Sequence, residues 1–148
     1  MIEIEVMRCG HAYWDKTIAF AEACSWKAGP FLAKQMRAND FADNERVIIA
    51  RENDRIAGFC TFANRDEIPE DLGFTPFIGF VFVEEHFRGR RLSKKMIEAA
   101  CAVAREQGIS KVHIMSGEKG LYEKYGFTKI GDYKTVYGTI DQLFIKNI

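Results

Sequence analysis

Between Phe87 and Lys95 the chain places Arg88, Arg90, Arg91, Lys94 and Lys95, with Gly89 and Ser93 among them. These residue types suit an anion with several oxygens, because guanidinium and ammonium groups make charge-assisted hydrogen bonds to phosphate. Gly89 lets a ligand come close to the main chain. The charge is local, since 21 Lys and Arg balance 21 Asp and Glu across the chain. A neutral chain without a second basic stripe does not read as a nucleic-acid binder or as a protein drawn to an anionic membrane. A second stretch with chemistry is Gly120-Leu121-Tyr122-Glu123-Lys124-Tyr125-Gly126-Phe127, where phenols stand in a short polar turn. His11, His86 and His113 share no ligand spacing with cysteines or carboxylates, so no metal is expected. The chain has no G-x-x-x-x-G-K-[ST] or G-x-G-x-x-G loop and no G-x-S-x-G elbow.

The elements that must position these residues follow from periodicity. Ile2, Ile4 and Val6 alternate with Glu3 and Glu5, a strand pattern unlike the continuous apolar run of a signal peptide. Residues 12–26 carry Trp14, Ile18, Ala21 and Ala23 at helical spacing and stop at Lys27-Ala28-Gly29-Pro30. Pro30 then opens a second, shorter helix. Residues 46–50 and 55–63 read as a hairpin around Asn53-Asp54. A loop follows over 64–76, and 76–83 is a nearly unbroken apolar run, as in a strand covered on both faces. Leu92, Met96, Ala100, Val103 and Ala104 fall on one stripe of a helix that Gly108 ends. Residues 111–116, 127–133 and 135–145 read as strands, with one or two helical turns near Tyr122.

The basic stretch therefore lies where a strand ending at Val83 hands over to a helix starting near Arg91. A helix start carries unpaired N–H groups and partial positive charge, which favour phosphate. Lysines in a first helical turn oppose the macrodipole, a conflict that a bound anion relieves. The length predicts one domain over 1–148. Cys9, Cys24, Cys60 and Cys101 are widely spaced among apolar neighbours and predict reduced, buried thiols. With no membrane-length apolar run, a cytoplasmic location is expected.

The order of elements, the strand-to-helix turn and the 120–127 motif together resemble the GNAT family of acetyl-CoA-dependent N-acetyltransferases. The family's first hallmark is Arg or Gln, two residues, Gly, one residue, then Gly or Ala. It corresponds here to Arg88-Gly89-Arg90-Arg91-Leu92-Ser93, with Arg91 and Ser93 standing at the usual small positions. The second hallmark is met closely by Leu121 to Phe127, although Met115 stands where an Asn is frequent. The resemblance spans nearly the whole chain and is strongest over 76–132. It implies a mixed α/β fold, a mainly antiparallel central sheet of about seven strands flanked by about four helices.

The resemblance also implies site residues. The pantetheine arm of acetyl-CoA would lie along Val81, Phe82 and Val83, bonded to the main chain as an added strand is. The pyrophosphate would sit over Arg88, Gly89, Arg90, Arg91, Leu92 and Ser93. Tyr122 would act as general acid toward the departing thiolate. Several relatives carry a base Glu about four residues before the strand's last Val, where this chain has Gly79. Glu118, His113 and the loop carboxylates Asp66, Glu67, Glu70 and Asp71 remain as candidates, beside a water chain to bulk. The loop acids could also attract a cationic amine. One or two of Tyr13, Trp14, Trp26 and Phe31 are expected to reach the acceptor pocket. The implied reaction is direct acetyl transfer, in a ternary complex, to the primary amine of a small molecule. The rival implication is a domain that holds CoA without turnover, favoured by Arg91 and by the missing strand Glu. Homodimers are frequent in the family and are a further expectation.

Overall fold

The computed structural model describes residues 1–148. Four strands meander antiparallel: β1 (Ile2–Met7), β2 (Arg46–Glu52), β3 (Arg55–Ala63) and β4 (Phe77–Val83). Next to β4 runs β5 (Lys111–Ser116), in the sheet's one parallel pairing. β6 (Thr128–Lys134) and β7 (Ile140–Asn147) complete it, giving the order β1-β2-β3-β4-β5-β7-β6. The helices are α1 (Trp14–Ala23), α2 (Gly29–Arg37), α3 (Leu92–Glu106) and the single turn α4 (Leu121–Lys124).

Strand alternation divides the core in two. Ile48, Ala50, Cys60, Phe62 and Ile78 pack with the stripe of α3 (Leu92, Met96, Ala100, Val103, Ala104). Val47, Ile49, Phe59 and Phe82 face the other way, onto Trp14, Ala21, Leu32 and Met36 of α1 and α2. The helix–strand contrast in the sequence therefore maps onto a sheet sandwiched between two helical layers. Trp14 is buried, and its Nε1 donates to the Met36 carbonyl at 3.3 Å, which ties α1 to α2.

Three expectations change in detail. The last strand is not 135–145. Thr135 N–H donates to the Thr139 carbonyl at 2.7 Å and Gly138 takes φ +87, so 135–139 form a turn and β7 runs on to Asn147. The 64–76 loop contains one 3₁₀ turn, Glu70–Leu72, closed by Gly73 at φ +79. Of the thiols, Cys60 and Cys101 are buried and Cys24 partly so, but Cys9 is exposed; all four are free. No helix is long and apolar enough to cross a membrane.

Candidate active site

The site begins where two neighbouring strands part. β4 and β5 pair only at Phe77 and His113, where His113 N–H donates to the Pro76 carbonyl at 3.0 Å. Beyond that point β5 stays paired to β7, while β4 stays with β3. The β4 edge from Ile78 to Val83 consequently faces a gap instead of a strand. Buried main-chain groups need partners, and an open strand edge is a template for an extended ligand. Phe80 sharpens this with φ +48, a conformation that costs a non-glycine residue roughly 1–3 kcal/mol. It marks a bulge, since Phe80 and Val81 together face Cys60 of β3 between the Phe59–Phe82 and Thr61–Gly79 pairs. Trp26, between α1 and α2, stacks on Phe82 at 5.9 Å and 6° and holds the strand from one face.

The gap widens into a cleft of about 1870 Å³. Small-molecule sites usually enclose roughly 300–1000 Å³, so this one has room for two reactants side by side. Val81, Phe82, Val83, Arg88, Gly89, Arg91, Leu92 and Ser93 all line it. Arg90 does not. It turns outward to Glu52 at 2.9 Å and lies over the Phe87 ring. Lys94 is likewise engaged, with Glu98 at 3.7 Å. The sequence cluster thus splits. Only Arg88 and Arg91 face the cleft, while its other cations serve the surface.

The turn that carries them is built from its ends inward. Glu84 accepts from His86 N–H at 2.9 Å and starts a 3₁₀ turn, Glu85–Phe87, that buries Phe87 in the core. Arg88 Nε donates back to the Val83 carbonyl at 3.2 Å. Gly89 has φ +85 with open space where a Cβ would stand. Arg91 takes φ +58 as the residue before α3, and no side chain caps the helix. The first N–H groups of a 15-residue helix are left facing the cleft beside two guanidinium groups. Those donors fit a pyrophosphate, and the open β4 edge fits an amide-bearing arm.

Opposite this turn, Gly120 at φ +83 starts α4; its Tyr122, and Tyr125 just past its end, both line the cleft. Tyr122 is buried among Tyr125, Phe127 and Phe144. Burial pushes its phenol up to about 12, against a hydrogen bond with Ser116 that lowers it. Tyr122 therefore stays protonated at neutral pH and keeps a proton to donate. Tyr125, which reads in sequence as a packing neighbour, has its hydroxyl 2.7 Å from Ser93 Oγ. It joins the second motif to the first across 32 residues.

The candidate bases separate clearly. His113 is buried between Phe74 and Phe77 with Nδ1 3.0 Å from the Pro76 carbonyl, outside the cleft lining. Burial lowers its basicity. Glu118 is exposed at the cleft margin. Glu70 and Asp71 lie on the exposed 3₁₀ turn, Glu70 3.3 Å from Arg65. Asp66 and Glu67 do line the cleft, with Asp141 of β7. Burial first, then the charge of Asp141, raises Glu67. Of the helix aromatics, Trp26 and Phe31 line the cleft; Tyr13 and Trp14 do not. No cysteine lines it.

The model of the acetyltransferase (GNAT) family matches residues 9–127. No protein of curated function matches the chain. Among solved structures, it is similar to an acetyltransferase from Streptococcus agalactiae at 18% identity and TM-score 0.67, covering 99% of this chain and 98% of that one. It is similar to a GNAT family acetyltransferase from Elizabethkingia anophelis with acetyl-CoA bound, at 17% identity and TM-score 0.67 over 99% and 98%. An aminoglycoside 6'-N-acetyltransferase complexed with coenzyme A matches at 12% identity and TM-score 0.71, over 98% and 96%.

Proposed function

Because the chain belongs to the acetyltransferase (GNAT) family, we propose that it moves acetyl from acetyl-CoA directly to the primary amine of a small molecule. The observation that carries this reading is the unpaired β4 edge, with the capless start of α3 and Arg88 and Arg91 at one end of it and Tyr122 across the cleft. Acetyl-CoA bound in the Elizabethkingia relative, and coenzyme A in the aminoglycoside enzyme, support it as the cosubstrate here.

In this reading main-chain groups of Phe80 to Val83 hold the arm and orient the thioester. An N–H on that edge can donate to the oxygen that becomes negative when the amine attacks, which is worth most where water is excluded. The C–N bond forms, the C–S bond breaks and the thiolate leaves toward Tyr122. A phenol raised to about 12 holds its proton more tightly than a thiol near ~8.5 would. Its part is thus hydrogen-bond donation to the developing thiolate, with protonation completed from water. Direct transfer is supported by the absence of cysteine from the cleft wall. Cys60 and Cys101 are held as neutral thiols by burial.

The test is CoA release from acetyl-CoA with small primary amines. Tyr122→Phe is expected to lower kcat roughly tenfold, at the low end for a hydrogen bond to a charged group, with acetyl-CoA affinity nearly unchanged. Wild-type turnover in that variant would return Tyr122 to packing. Acetyl-CoA binding without transfer to any amine would identify a holding domain instead.

A further inference from the structure

Gly79 of β4 has no side chain, and the space beside it is filled from another segment. A Cβ on residue 79 would lie 2.7 Å from Asp66 Oδ2 and 3.3 Å from Thr61 Oγ1. Asp66 belongs to the loop between β3 and β4, so the chain doubles back to lay a carboxylate against its own strand. The placement is anchored on both sides. Glu67 N–H donates to Asp66 Oδ1 at 2.7 Å, and the Glu67 carbonyl accepts from Val136 N–H at 2.6 Å. Ile68, the next residue, is buried with Phe77 and Leu143. Before it, Asn64 N–H donates to Glu45 at 2.8 Å, and Thr75 Oγ1 donates to the Asn64 carbonyl at 2.6 Å. One oxygen is thus held by the main chain, while Oδ2 reaches the cleft beside the bulged part of β4.

The geometry points to Asp66 as the base that takes the proton from the acceptor's ammonium group, an inference that rests on the acetyltransferase reading above. A base must lie within hydrogen-bond reach of the attacking nitrogen. Residue 79 is one residue before the bulge at Phe80, so Asp66 lies beside the strand segment that would hold the thioester. The alternatives are placed worse, with His113 outside the cleft and Glu118 and Glu67 exposed at its margin. The charged groups around Asp66 favour a cationic guest. Glu67 and Asp141 are acids, and the adjacent Arg65, which also lines the cleft, is paired with Glu70 at 3.3 Å. The cations Lys27 and Lys34 line the cleft from the opposite, α1–α2 side.

The proton count closes. Asp66 takes one proton from R–NH₃⁺, and the free amine attacks the thioester carbonyl. The nitrogen loses a second proton as the C–S bond breaks. One proton ends on the CoA sulfur and one leaves to solvent, which returns Asp66 to its carboxylate. Burial, and secondarily the charges of Glu67 and Asp141, push Asp66 up to about 7 against the Glu67 N–H that holds it down. It is therefore matched to proton transfer near neutral pH.

The experiment compares wild type, Asp66→Asn, Asp66→Ala and the double variant Asp66→Ala/Gly79→Glu. CoA release is followed against pH with methylamine, 2-phenylethylamine and spermidine, beside direct acetyl-CoA binding. In wild type, kcat/KM is expected to rise with pH through about 7, because the base must lose its proton. Asp66→Asn should lose about 100-fold in kcat/KM, lose that rising limb, and bind acetyl-CoA as wild type does. Gly79 lies outside the left-handed region, and Asp66→Ala removes the atom its Cβ would clash with, leaving Thr61 Oγ1 at 3.3 Å to give by a few tenths of an ångström. The double variant should therefore recover roughly tenfold over Asp66→Ala, by a carboxylate placed from the strand.

Stability supplies a readout that is independent of any acceptor. A carboxyl whose pKa is raised by folding makes the folded state less stable as pH climbs from the ordinary carboxylate range through about 7. Asp66→Asn should thus melt higher than wild type at pH 8 and no higher at pH 4. Retained turnover with an unchanged pH profile, or a melting temperature lowered at pH 8, overturns Asp66 as the base while leaving the acetyltransferase reading. Acetyl-CoA binding with no CoA release from wild type and any amine overturns both.

Discussion

Replacing Arg88 and Arg91 together by Ala is expected to raise the Kd for acetyl-CoA about 100-fold at low salt, each guanidinium supplying roughly 1.5 kcal/mol of charge-assisted bonding. The fold should survive this change. Arg88 makes one bond, to the Val83 carbonyl, and Arg91 is exposed. The deficit should shrink as salt rises, since screening weakens the lost term in wild type too. Arg90→Ala is the matched control. Its guanidinium is on Glu52, so it should leave the Kd within a factor of about two. Equilibrium titration of acetyl-CoA at two salt concentrations reads all of this. An unchanged Kd in the double variant would remove the phosphate role from the turn. Arg91→Gly separates charge from conformation. It relieves φ +58 and should raise stability by about 1 kcal/mol, yet still weaken binding.

Gly58→Ala is expected to cost about 1–3 kcal/mol of stability and to weaken acetyl-CoA binding with it. Gly58 pairs with Val83, and an added Cβ would come within 2.5 Å of the Phe82 carbonyl and 3.2 Å of Met96 Cε. The Met side chain can move, but the strand carbonyl cannot without displacing β4. Trp26 blocks one direction of that displacement by stacking on Phe82, and α3 blocks the other. The strain therefore falls on the edge that would hold the pantetheine arm. Thermal melting and acetyl-CoA titration should fail together. A variant that melts like wild type and binds normally would show that β3 and β4 part more freely than their packing implies.

Much of the fold was readable in one dimension because it is set by local periodicity. The unbroken apolar run Val47–Ala50 marks a strand with two covered faces, and the 3.6-residue stripe from Leu92 to Ala104 marks a helix with one. Pro30 and Gly108 punctuate where local backbone chemistry requires it. The turn at 135–139 was missed because Thr135 and Val136 have good strand propensity, which tertiary pairing overrides. The site was half legible. The basic turn and Tyr122 announce themselves through neighbours in sequence. Tyr125 does not, because its bond is to Ser93, in another element.

By itself the sequence determined the element order, the mixed α/β class, the anion-suited turn and the short motif that carries Tyr122. Each of these depends on residues a few positions apart. Only the tertiary structure decided how the charges are allotted. Arg90 goes to a carboxylate 38 residues away, while Arg88 and Arg91 keep the cleft. Only it showed β4 and β5 diverging after one pairing, which leaves a strand edge open. Only it brought Asp66 to Gly79, where the sequence reads as a strand without its acid. The physical reason is common to all three. A hydrogen bond or an ion pair acts over a few ångströms, and loop closure brings distant residues that close at a cost which grows only slowly with the length of chain between them.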